Sequence, residues 1–89
     1  MKAIVTVLGK DRKGIIAEVC LLLASYDNNI LDISQTVMQD FFTMTMLVDT
    51  SDCTVSFDEL SCSLNKKGEA MGLNIRIQRE DLFSAMHRI

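Results

Sequence analysis

The chain contains no proline and no tryptophan, and only one tyrosine and one histidine in 89 residues. Without proline there is no Pro-rich linker, and no repeat or low-complexity stretch breaks the chain. The single histidine, His87, has no acid or nucleophile near it in sequence and reads as a surface side chain. The cysteines are Cys20, Cys53 and Cys62, an odd number with no CxxC pair. These spacings are far from those of a zinc site, so no metal and no cofactor is expected. Free thiols fit a reducing, cytoplasmic compartment. Excess positive charge is also missing. Nine Lys and Arg stand against twelve Asp and Glu, a net charge of −3. Nucleic-acid affinity comes largely from counterion release by clustered cations. The longest basic run, Lys10-Asp11-Arg12-Lys13, is interrupted by an acid, so no nucleic-acid partner is expected. The apolar run at the N-terminus ends at Gly9 and is too short for a signal segment or a membrane span.

What is present is apolar surface. Hydrophobic residues make up 48% of the chain. A single domain of this length buries roughly 60–65% of its unfolded surface, so its own core is thin. The excess predicts an interface with a partner.

Local patterns divide the chain into six elements and a tail. Residues 2–8 are rich in β-branched side chains and predict a strand. A charged loop runs from Gly9 to Gly14. Ile15, Ile16, Val19, Leu22, Leu23 and Tyr26 recur with helical period over 14–26. Asp27-Asn28-Asn29 stops that helix, because Asn tolerates the left-handed conformation of a C-cap. Over 30–39, Leu31, Ile33, Gln35 and Val37 alternate with Asp32, Ser34 and Thr36. Asp40 marks a tight turn. Phe42, Met44, Met46 and Val48 then alternate over 41–49, completing a hairpin. Ser56 and Glu59 form a capping box that opens a second helix, striped by Phe57, Leu60, Leu64 and Met71. Gly72 ends it. Leu73, Ile75 and Ile77 alternate over 73–79 as a last strand. Leu82, Phe83 and Met86 predict a short C-terminal helix over 81–88. Met38, Met44, Met46 and Met71 read as core filler.

The order β-α-β-β-α-β predicts an α+β ferredoxin-like fold. Four antiparallel strands would carry both helices on one face. Residues 1–80 form the domain and 81–89 a C-terminal extension. That architecture hosts many activities, so function must come from sites.

Three features are candidates. In the first loop, Gly14 can bring backbone N–H groups close to an anion at a helix N-terminus, beside Asp11, Lys13 and Ile15. The same residues also suit an ordinary charged turn. At the far end of the helix, Asn28, Asn29 and Ile30 are either a plain C-cap or the wall of a ligand site. On the helix itself, Ala17, Cys20, Leu21 and Ala24 form a second small or apolar stripe. A helix apolar on two sides usually gives one to the core and one to a partner. The stripe is therefore the predicted homodimer interface.

Gly9-Lys10-Asp11-Arg12-Lys13-Gly14-Ile15-Ile16, the amphipathic helix behind it, and Asn28-Asn29-Ile30-Leu31-Asp32-Ile33 together resemble an ACT domain over residues 1 to about 80. Ser34-Gln35-Thr36 and Phe42-Thr43-Met44 look like the small stand-alone bacterial ACT proteins related to the regulator of the glycine cleavage system. The resemblance implies regulation without catalysis, hence no catalytic residues. It implies pairing of domains and an amino-acid-like ligand held between the first loop of one domain and the second strand of its neighbour. Carried onto this chain, those positions are Asp11, Lys13, Gly14 and Ile15 with Asn28, Asn29, Ile30 and Leu31. The regulated activity would then reside in a separate enzyme or regulator. The competing readings are a ligand-free structural adaptor and, further off, a small-molecule enzyme on the same fold. An acylphosphatase-like site would need a loop Arg and a water-orienting Asn, and the loop does not match that pattern.

Overall fold

The fold is described from a computed structural model, for residues 1–10 and 13–80. The elements are β1 (Lys2–Lys10), α1 (Ile15–Ser25), β2 (Asn29–Met38), β3 (Phe41–Asp49), α2 (Phe57–Met71) and β4 (Leu73–Arg79). The sheet order is β2-β3-β1-β4, and each neighbouring pair is antiparallel. The expected α+β ferredoxin-like arrangement is therefore present. The short helix expected in the tail, and with it Leu82, Phe83, Met86 and His87, lies outside the described residues, as do Asp11 and Arg12.

Alternation along the strands builds the core. Ala3, Val5 and Val7 of β1 point to the helices with Phe42, Met44, Met46 and Val48 of β3 and Leu73, Ile75 and Ile77 of β4. Ile15, Val19 and Leu23 of α1 and Leu60, Leu64 and Met71 of α2 close over them. One cluster holding both helices and three strands means that both helices lie on the same face. Neither helix covers the opposite face of the sheet.

The two helices end differently. At the start of α2 the backbone N–H of Glu59 donates to the Ser56 hydroxyl at 3.2 Å, satisfying one free donor of the first turn. Gly72 closes that helix at φ 71, a left-handed conformation suited to glycine. A side chain at Gly68 would put its Cβ 2.7 Å from the Leu73 carbonyl oxygen, so glycine there lets α2 approach β4 closely. The N-cap of α1 is Gly14 at φ 86, and among the described residues no side chain caps the turn. Its far end is closed by Asp27 at φ 61 and by Asn28. The backbone N–H and the Nδ2 of Asn28 both donate to the Leu23 carbonyl, at 3.1 and 3.0 Å.

Two expectations need correction. Leu31 does not continue the face of Ile33, Gln35 and Val37. A β-bulge at Ile30/Asp32 pairs Ile30 with Val48 and Asp32 with Leu47, leaving Leu31 as the extra residue. Met38 is not core filler. It pairs with the exposed Phe41, one step out of register from the buried Phe42, so it points to the face away from the helices and is 71% exposed. Met44, Met46 and Met71 are buried as expected.

Candidate functional site

The edge strand β2 is exposed along nearly its whole length, although its Ile33, Gln35 and Val37 pair with the buried Met46, Met44 and Phe42. These three residues therefore lie in the register that faces the helix layer, yet the layer does not reach them. Between the N-terminal half of α1 and this uncovered strand runs a groove of about 700 Å³. Gly14, Ile15, Ile16, Ala17 and Cys20 line it on the helix side, with Gln35, Val37 and Phe42 on the sheet side.

The sequence-predicted residues divide around this groove. Gly14 and Ile15 line it directly, and Ile15 is also a core residue. Lys13 is exposed next to them. Ala17 and Cys20 of the predicted interface stripe line it too, while Leu21 and Ala24 extend the stripe into solvent. Leu21 is 69% exposed, so nothing within the described residues covers it. Asn29, Ile30 and Leu31 sit at the other end of the 11-residue α1, roughly 16 Å away by helix rise. They do not line the groove. Asn28 is buried, and its amide nitrogen is committed to the helix end. Its Oδ1 is buried without a partner among the described residues.

Gln35, Val37 and Phe42 are the site residues that sequence reading missed. A signal was present for Gln35: it is the polar member of an otherwise apolar alternation, Ile33-x-Gln35-x-Val37. Recognising the groove required knowing that β2 is an edge strand beyond the reach of the helices. Only the sheet order shows that.

Among the described residues, charge around the groove is sparse. Glu18 of α1 reaches Lys67 of α2 at 3.5 Å, tying the helices together on the side away from β2. Lys10 and Asp40 lie 4.0 Å apart, both well exposed, a contact of little energetic weight. Burial pushes the Cys20 thiol above its ordinary pKa, which keeps it protonated and a weak nucleophile. Among the described residues no group of three or more His, Cys, Asp and Glu could hold a metal ion. A second groove of about 640 Å³ lies along β4, walled by Asn65, Glu69, Asn74 and Arg76 among others. It is similar in size but gathers none of the candidate residues.

Architecture and groove together define a ferredoxin-like α+β domain with one uncovered sheet edge. The sequence model of the ACT domain matches residues 2–78, and the chain belongs to the ACT domain family, whose members commonly serve as ligand-binding regulatory domains. It is 54% identical to a UPF0237 protein of Clostridium acetobutylicum over 89 residues, covering all of both chains. A UPF0237 protein of Methanopyrus kandleri is 49% identical over 88 residues, covering 99% of this chain and 98% of the relative. Among solved structures, an ACT domain protein from Streptococcus pneumoniae superposes with a TM-score of 0.82 at 42% identity, over 98% of each chain. A candidate glycine cleavage system transcriptional repressor superposes with a TM-score of 0.73 at 25% identity, over 86% of this chain and 44% of its own. Among the described residues no helix is long and apolar enough to cross a membrane.

Proposed function

We propose that the chain is a non-enzymatic sensor that binds a small amino-acid-like ligand where two copies of it meet, and that acts on a separate protein. The observation that carries this reading is the groove between α1 and β2, bordered on both rims by exposed apolar side chains. On the helix rim stand Ala17 and Leu21; on the strand rim stand Ile33 and Val37. An apolar edge strand beside an apolar helix face favours closure by a second copy, in an isologous contact.

Ligand chemistry follows from the same walls. The first-turn N–H groups of α1 carry no side-chain cap among the described residues and can receive a carboxylate. Lys13 adds positive charge, and Asp11 offers an acceptor for an ammonium group. One chain does not bring Asn29, Ile30 and Leu31 to this loop. In the dimer the corner of the second copy supplies them, with Asn28 holding that corner in shape. Without a catalytic dyad in this reading, the output is a change in the dimer surface presented to another protein.

The test joins two measurements. Thermal melting against the twenty amino acids should single out a ligand, because a ligand of the folded state raises Tm as its concentration exceeds its Kd. Titration calorimetry of that hit should then weaken in Lys13→Glu and Gln35→Ala. Gly14→Val is a poor probe, since a Cβ there meets nothing within 4 Å and the substitution acts through the strained φ of 86. If no amino acid shifts Tm, or both variants bind the hit as tightly as the parent, the site is wrong.

A further inference from the structure

β4 pairs with β1 on one side and forms the edge of the sheet on the other. In an antiparallel pair alternate residues turn both backbone groups toward the neighbour, and the residues between them turn theirs outward. β4 therefore presents a row of N–H and C=O groups along its outer side, onto which a further strand can add. Among the described residues no strand occupies that side.

The groove of about 640 Å³ lies along this edge. Its floor is closed, since Leu73 and Ile75 are buried in the core. What the edge offers a partner is polar and of two signs. Asn65 and Glu69, one turn apart on α2, form the helix wall; Asn74 and Arg76, on one face of β4, form the sheet wall. All four are exposed. The Nε of Arg76 donates to Asn74 Oδ1 at 3.2 Å, which orients the guanidinium and leaves its terminal nitrogens to a carboxylate. Glu69 makes no ion pair among the described residues.

The two charges are staggered along the edge. α2 turns back into β4 at Gly72, so both walls run away from that turn. Glu69 stands about 4.5 Å from it by helix rise. Arg76 stands about 13 Å from it by strand rise. The offset of roughly 9 Å is close to three residues of an extended chain, and residues three apart in a strand point to opposite faces.

We propose that β4 takes an antiparallel strand of a partner protein, which carries an acidic residue for Arg76 and, three positions later, a basic residue for Glu69. Antiparallel addition matches every other pair in this sheet and is the more stable pairing. In that direction the partner passes Arg76 before Glu69, which sets acid before base. The occupant is not the β4 of a second copy: Leu73–Arg79 contains no acid to answer Arg76, and like charges facing each other across strands are destabilising. Both walls belong to one chain, so docking needs neither a bound ligand nor the α1–β2 dimer.

The probe is the capped peptide Ac-Thr-Val-Glu-Thr-Val-Lys-Thr-Val-NH2, compared with the same peptide bearing Glu and Lys exchanged. Titrated to millimolar concentration into the 15N-labelled full-length protein, the first should shift the backbone amides of residues 73–77. It should bind at least about 3-fold more tightly than the exchanged peptide, as two cross-strand charge pairs allow. Glu69→Lys combined with Arg76→Glu should reverse that preference with the circular dichroism of the parent, because both side chains are exposed. Should the double variant not fold, Arg76→Gln alone should bring the two peptides toward equal binding. Amide shifts absent from β4 or confined to α1 and β2 overturn the proposal. Equal binding of the two peptides by the parent, or a preference that the folded variant leaves unchanged, overturns it as well.

Discussion

The pair α2–β4 and the pair α1–β2 flank the same sheet but differ in what each leaves uncovered. α2 is capped by Ser56 and Gly72 and packs closely on β4 through Gly68. Leu60, Leu64 and Met71 of its apolar stripe are buried, and Phe57 packs half-buried against the same core. α1 has no side-chain cap among the described residues, touches β2 sparsely, and keeps Leu21 exposed. Its strand, β2, displays Leu31, Ile33, Val37 and Met38. One half of the domain is complete within the chain. The other half leaves apolar side chains exposed on both α1 and β2, and on the proposed function a second copy covers them.

Substitutions should separate the halves. The largest effect on stability is expected at Leu64, fully buried under α2. Leu64→Ala should cost about 2–5 kcal/mol in chemical denaturation, whatever the protein concentration. Gly68→Ala should cost about 1–3 kcal/mol, because the backbone carbonyl of Leu73 stands where the new methyl would go. Ser56→Ala should cost about 1 kcal/mol through loss of the N-cap bond. Leu21→Ala should instead change the stability of the isolated chain by less than about 0.5 kcal/mol, as exposed positions do. A large effect of Leu21→Ala on a demonstrated monomer would break the comparison.

Smaller effects sharpen it. Cys62 is exposed on α2, whereas Cys20 is half-buried in the groove and its thiol is held protonated by burial. Alkylation followed by mass spectrometry should modify Cys62 before Cys20, and equal rates would argue against a closed groove. The mildest effect is at Asp49, whose carboxyl is held below its ordinary pKa by the Ser51 hydroxyl, then by the Ser51 backbone N–H. A depressed folded pKa adds stability that is full above the ordinary carboxylate value and is lost as pH falls through the lowered one. Asp49→Asn should therefore narrow the gap to the parent only in the acid limb of a pH–stability curve, and slightly, since the group is exposed.

The sequence was most legible where each element answers to its own residues. β3 and β4 follow from alternation, and α2 from Ser56, Glu59 and Gly72. The exposed stripe of α1 was legible too, because Ala17, Leu21 and Ala24 fall outside the periodicity of the core. The bulge at Leu31 was not, since two apolar neighbours, Ile30 and Leu31, fit either register equally well. Nor were the exposure of Val37 and the part of Gln35 in the groove. Those depend on β2 being at the edge, which is set by which strands pair and not by any strand's own pattern. Asn28 shows the converse: an amide at a helix end looks the same in sequence whether it holds a ligand or, as the structure has it, the last turn.

The central claim is that the α1–β2 side is completed by a second copy. Sedimentation equilibrium of the full-length protein tests it most directly, with Leu21→Glu run beside the parent. The account predicts a parent mass approaching twice the 10.0 kDa of one chain as concentration rises. Leu21→Glu should remain at the single-chain mass with its circular dichroism unchanged, because a charge buried in that contact costs several kcal/mol, on the order of a broken buried pair. A parent that stays at 10.0 kDa at every concentration would contradict it.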